Sequence, residues 1–232
     1  MFGIASLRSH ELRKEFFKKI KFPPQLSSFC SVILLMSDFL FNFIIILSFS
    51  TFAIYYSLIC KVIRLLFGYL IDRFRRQILI KESRNLLISY GEIAKSMRNI
   101  DKELSFPTFA IIIVNMVGLF WGGYRLAFRN YMSPEYMVSI VSSGSCYLMF
   151  QLLIMISACT TNEMAEKVKS SLLCMKYRFP PDLRETKLKE VCTKKSNLTL
   201  WKIYVMDRSM LITSFGTLLT YGILIGTLGE ES

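Results

Sequence analysis

The sequence predicts an all-α protein of the membrane class, a multi-span helical bundle with four transmembrane helices. Three observations carry this. Of 232 residues, 53% are hydrophobic, and mean hydropathy is +0.41, more apolar than a soluble domain of this length. Four runs contain no Asp, Glu, Lys or Arg: 39–60, 104–124, 136–162 and 209–229, of 22, 21, 27 and 21 residues. A helix crossing the hydrocarbon core needs about 20 such residues. Finally, all six prolines, Pro23, Pro24, Pro107, Pro134, Pro180 and Pro181, avoid the middle of a run, as helical continuity requires.

The expected spans are about 30–60, 105–126, 134–161 and 207–229. Their orientation follows from Lys and Arg, which collect on the cytosolic side. Six precede the first span, ten lie in 61–104, two between the second and third spans, eleven in 161–208, and none after the fourth. Placing 61–104 and 161–208 in the cytosol puts 21 basic residues inside and eight outside. The first and third spans then run inward and the second and fourth outward, with an extracellular C-terminus. Only the basic segment 1–28 sits on the wrong side of this scheme.

Both cytosolic segments are helix-prone. The first span continues into 61–104 without a Gly or Pro break strong enough to stop it, and the third continues towards Pro180 and Pro181. The expected organisation is a basic N-terminal segment, 1–28, and a transmembrane region, 29–232, with cytosolic helical extensions at 61–104 and 161–206. These extensions are either stalks packing on each other or an assembly domain shared between subunits.

The net charge of +12 belongs to basic residues flanking apolar runs. It therefore predicts contact with the cytoplasmic membrane surface of the lipid bilayer, not with nucleic acid. The only histidine is His10, no CxxC pair occurs, and no phosphate loop, HExxH or GxSxG is present. No catalytic residue, metal site or cofactor is expected, and the six cysteines read as structural or neutral. Asp38 is the sole carboxylate near a span core, with Asn42 one turn on.

The last span is polar along its length. At 100° per residue from Ser209, Thr213 falls near about 40°, Thr217 near about 80°, Thr220 near about 20° and Thr227 near about 0°. Leu224, near about 60°, is the one apolar residue in that series. This stripe reads in two ways. It is a packing face against one neighbouring helix, with hydroxyls bonded back to their own carbonyls. Alternatively it is a water-facing wall around a symmetry axis, with Leu224 as a constriction between polar rings.

The closing segment carries Thr220, Tyr221, five small or apolar residues, then Thr227 and Leu228; before it runs YVMDRSMLITSFGTLL, with Asp207 and Arg208. Together with SYGEIAKSMRNIDKELSF, these stretches resemble the C-terminal part of the arthropod gustatory receptor family, in the insect chemoreceptor superfamily. That family's last helix bears a TYhhhhhQF signature, so Thr227 and Leu228 stand at its Gln and Phe positions. The resemblance implies that the four spans are equivalent to the last four of a seven-span receptor-channel, with three upstream spans missing and 1–28 a remnant of that region. It implies a chemosensory, ligand-gated non-selective cation channel in the plasma membrane, detecting small-molecule tastants as a homo- or hetero-tetramer. The alternative is a non-conducting multi-pass scaffold or modulatory subunit.

By the resemblance, Thr213, Thr217, Thr220, Leu224, Thr227 and Leu228 are pore-lining. Asp207, Arg208 and Tyr221 are motif and packing residues, Tyr221 anchoring the last helix on its own subunit. Phe39, Trp121, Tyr124, Tyr136 and Tyr147, in the outer halves of the spans, are the ligand-pocket candidates.

Overall fold

The computed structural model describes residues 24–75, 80–128, 134–174 and 196–229. Helix α1 spans Pro24–Arg75, α2 Ile80–Phe128 and α3 Pro134–Cys174. A short hairpin of β1 (Thr199–Leu200) and β2 (Tyr204–Val205) follows, and α4 covers Arg208–Gly229. Pro24 and Pro134 open α1 and α3, where the missing N–H costs nothing and φ is already helical. Pro107 lies inside α2, at the start of its charge-free run. Among the described residues, three helices are long and apolar enough to cross a membrane, over Phe39–Phe74, Asn85–Leu126 and Met137–Cys174. The fourth expected span forms α4, whose 22 residues rise about 33 Å.

The chain divides into two compact units. In its described residues, the first holds 24–52, 114–151 and 216–229. This unit has polar groups inside and apolar ones outside. Asn115 and Gln151 are fully buried, while Phe29, Phe41, Ile44, Val138 and Leu219 are exposed. Water disfavours that arrangement and hydrocarbon favours it. Gly118 sits against the Tyr147 ring and Gly122 against Ile140. As numbering rises on α2 it falls on α3, so the two helices run antiparallel here. The side chains of Asp38 and Asn42 lie outside the described residues, as does segment 1–23.

The second unit holds 53–113, 152–174 and 196–215. Its core repeats at alternating three- and four-residue steps. On α1 the buried residues are Ala53, Tyr56, Cys60, Ile63, Phe67, Leu70 and Phe74. On α3 the same spacing runs through the buried Ile154, Ala158, Thr161, Ala165, Val168 and Leu172. This is the spacing of a coiled-coil seam. Ser57 meets Ser157 (Oγ···Oγ 2.9 Å), Arg64 Nη1 donates to Thr160 Oγ1 (2.9 Å), and Thr161 Oγ1 donates to the Cys60 carbonyl (3.3 Å). Numbering rises together on the two helices, so α1 and α3 run parallel.

The extension expected to be helical over 161–206 is helical to Cys174 and ends in a hairpin instead of helix; residues 175–195 lie outside the described residues. The local reason is composition. Thr199, Ile203, Tyr204 and Val205 are β-branched or aromatic and favour a pleated surface over a helix. Trp201 (φ 46°) and Lys202 (φ 58°) form the turn, closed by Ile203 N–H donating to the Leu200 carbonyl at 2.9 Å. Two left-handed central residues define a type I′ turn, usually given to Asn-Gly.

Candidate functional site

The site that the fold assembles lies at the root of α4. Asn162, 6% exposed on α3, reaches both ends of the hairpin. Its Nδ2 donates to the carbonyls of Leu198 (3.0 Å) and Met206 (2.8 Å), and its Oδ1 accepts from Leu198 N–H (2.7 Å). One amide thus ties the two strands together from outside. On the α2 side, Asp101 accepts from Thr199 N–H (2.5 Å) and Oγ1 (2.9 and 3.0 Å). Arg98 Nη1 donates to Ser196 Oγ at 2.8 Å, and Tyr56 places its hydroxyl 3.9 Å from Met206 Sδ.

Helix α4 begins immediately after this clasp. Asp207 Oδ1 accepts Met210 N–H at 2.8 Å, an N-cap bond. Arg208 grips the Glu163 carboxylate with Nε and Nη2, the latter at 2.8 Å from Oε2. Of the two expected motif or packing residues, Asp207 caps the start of α4 and Arg208 ties that start to Glu163 on α3. A cavity of about 740 Å³ opens beside them, lined by Cys159, Asn162, Glu163, Lys167, Asp207 and Arg208 among others. Its walls carry charges of both signs.

Along α4, Ser214 is buried and Met210, Leu211, Phe215 and Leu218 are half-buried; the other described side chains are exposed. The buried face centres near about 170° on the wheel that puts the threonine stripe near about 40°. The stripe therefore points away from the face that α4 uses within its own chain. Thr213 and Thr220 donate to the Ser209 and Gly216 carbonyls, both at 2.8 Å, and Thr227 to the Leu224 carbonyl at 2.9 Å. Thr217 and Leu224 are exposed too. The Leu228 side chain lies outside the described residues. Tyr221, expected to anchor α4 on its own subunit, is 56% exposed.

Of the ligand-pocket candidates, the structure brings Trp121 and Tyr124 together. Trp121 and Tyr124 stack at 5.8 Å between centroids, with Arg125 5.2 Å from the Trp121 ring. Tyr147 is buried against Gly118, Phe39 is exposed, and the Tyr136 side chain lies outside the described residues. Among the described residues, no three His, Cys, Asp or Glu are grouped to hold a metal ion.

Three crossing-length apolar helices and an inside-out first unit define the class: a multi-pass helical membrane protein. No family model matches the chain, and no curated protein is similar to it.

Proposed function

We propose that the chain is a subunit of a chemosensory, gustatory-type receptor, a ligand-gated non-selective cation channel for small-molecule tastants. In this reading α4 is the fourth crossing, four copies or related subunits surround an axis in the plasma membrane, and the C-terminus is extracellular. One observation carries the reading. The hydroxyl stripe of α4 lies about 130° from the helix's own buried face, so a polar wall is left for something outside the chain. A closed ring of such walls is a polar path, with Leu224 as its apolar constriction.

The test is cysteine accessibility in assembled channels in cells. Thr213→Cys, Thr217→Cys and Thr227→Cys are each exposed to a charged thiol reagent while cation current is read. Modification that changes the current at all three positions supports the pore. No modification at any of them, in assemblies that conduct, sinks it. A reporter at the C-terminus detected in the cytosol would overturn the orientation.

A specific observation favours a second reading, the non-conducting scaffold. Thr213 and Thr220 satisfy their hydroxyls on their own carbonyls, as a dry packing stripe does. Under that reading, cysteines along the stripe form disulfides with a neighbouring helix and no current flows.

A further inference from the structure

The tip of the hairpin is a second feature that the channel reading does not use. Trp201, Ile203 and Tyr204 are 50%, 60% and 61% exposed, and Lys202 is exposed between them. This tip is pinned, not loose. Trp201 N–H donates to the Ser105 carbonyl at 3.3 Å. The indole lies edge-on to Phe106 (5.8 Å between centroids) and against Phe109 (5.2 Å).

The pinning sets a level. Glu103 is the last charged residue before the apolar run of α2. Phe106 and Phe109 lie three and six residues beyond it, about 5–9 Å into that run at 1.5 Å per residue. This depth matches the headgroup–acyl boundary of a bilayer, about 5–10 Å. The tip is also continuous with the lipid-facing side of α2, since Phe106 and Ile113 are themselves exposed.

The side-chain chemistry is that of the same boundary. Trp and Tyr concentrate there because each has an apolar body and one polar atom, and Lys places its ammonium among phosphates. Trp201 and Lys202 both occupy left-handed backbone, a conformation that disfavours side chains with a Cβ. Glycine or asparagine would satisfy the turn better, yet a bulky aromatic and a cation stand there.

We propose that the 199–205 hairpin is an interfacial membrane anchor: Trp201, Ile203 and Tyr204 sit in the headgroup–acyl boundary of the leaflet nearest the charged end of the α2 apolar run, and Lys202 meets lipid phosphates. The anchor adds a lipid contact at the root of α4, fixing the depth at which that helix starts. It rests on the membrane class of the chain and is independent of conduction.

The test uses the full chain with Trp121→Phe, leaving Trp201 as the sole tryptophan, reconstituted in phosphatidylcholine–phosphatidylserine vesicles. Lipids brominated near the headgroup, lipids brominated near the chain ends, and aqueous iodide are compared as quenchers. The anchor predicts the largest loss of emission with bromine near the headgroup. It also predicts that Lys202→Glu weakens this quenching and red-shifts emission when phosphatidylserine is present. Stronger quenching from chain-end bromines, quenching by iodide alone, or no quenching by any agent overturns it; the last outcome puts protein, such as a second copy, over the tip. If Trp121→Phe does not fold, Ile203→Cys carrying a nitroxide, in a chain that keeps Trp121 and has its six native cysteines changed to alanine, gives the depth. Collision with dissolved oxygen above that with a nickel chelate upholds the anchor, and the reverse order refutes it.

Discussion

Asn162→Leu isolates the clasp at the root of α4. The substitution keeps the branched outline and the number of side-chain heavy atoms and removes every polar atom, so no cavity confuses the result. Three hydrogen bonds vanish. The Leu198 carbonyl still accepts Met206 N–H at 3.2 Å. Leu198 N–H and the Met206 carbonyl are left without those bonds, in residues 1% exposed. Each orphaned buried group costs about 1–3 kcal/mol, so local opening of 196–206 becomes easier by about 2–6 kcal/mol. Hydrogen exchange in detergent micelles reads this directly. Even the lower figure speeds exchange of the hairpin amides about 30-fold, while amides around Phe67 on α1 stay protected as an internal control. Asn162→Asp retains the acceptor for Leu198 N–H and should lie between. Hairpin exchange within about threefold of wild type would show that the clasp does not hold the strands.

Four other substitutions test separate contacts. Gly118→Ala puts a Cβ 2.9 Å from Tyr147 Cε2, so the ring must move; a loss of about 1–3 kcal/mol is expected, and Tyr147→Ala in the same chain should recover part of it. Phe67→Ala empties a fully buried position in the α1 seam and should cost about 3–5 kcal/mol, read as a lowered melting temperature in detergent. Arg208→Glu breaks an exposed pair with Glu163. It should leave the melting temperature almost unchanged while speeding exchange of the first-turn amides of α4, with Glu163→Arg restoring protection in the double variant. Lys202→Gly relieves a left-handed residue and should raise stability in detergent by about 0.5–1 kcal/mol, although it removes the proposed lipid contact.

The long helices were legible because hydrocarbon leaves so few alternatives: a charge-free run of membrane length must be helix or closed barrel. The start of α3 at Pro134 was legible for a similarly local reason, whereas α1 begins at Pro24, ahead of the expected span. The hairpin was not legible. Its strands are two residues each, too short for a period to show, and its turn lacks the Asn-Gly signature that local rules look for. The clasp was harder still. Asn162 closes the run 136–162 and reads as the polar end of a span. Its partners lie 36 and 44 residues onward, and only the tertiary fold brings them within reach. The α1 and α3 seams were in principle readable, since Tyr56, Cys60, Ile63 and Phe67 already alternate by three and four. The surrounding exposed apolar residues, such as Leu58, Val62 and Leu65, hid that period. In a membrane protein the outward face is as apolar as the core, so amphipathic contrast fades.

That loss of contrast also explains why the root of α4 is polar. Between helices in lipid, apolar side chains distinguish poorly between right and wrong neighbours, because lipid tails offer the same contacts. Specific position must come from groups with direction. Helix α4 buries little: Ser214 is its one buried described side chain. Its placement within the second unit depends heavily on what precedes it: the Asn162 amide, the Asp101 carboxylate, the Asp207 cap and the Arg208–Glu163 pair. All four involve atoms of α2, α3 or the α4 start, and all lie within 196–210 on the α4 side. A change in the packing of α2 against α3 in this unit therefore reaches α4 through its first turn. The rest of the helix keeps its threonine stripe turned from its own buried face and open to a neighbour.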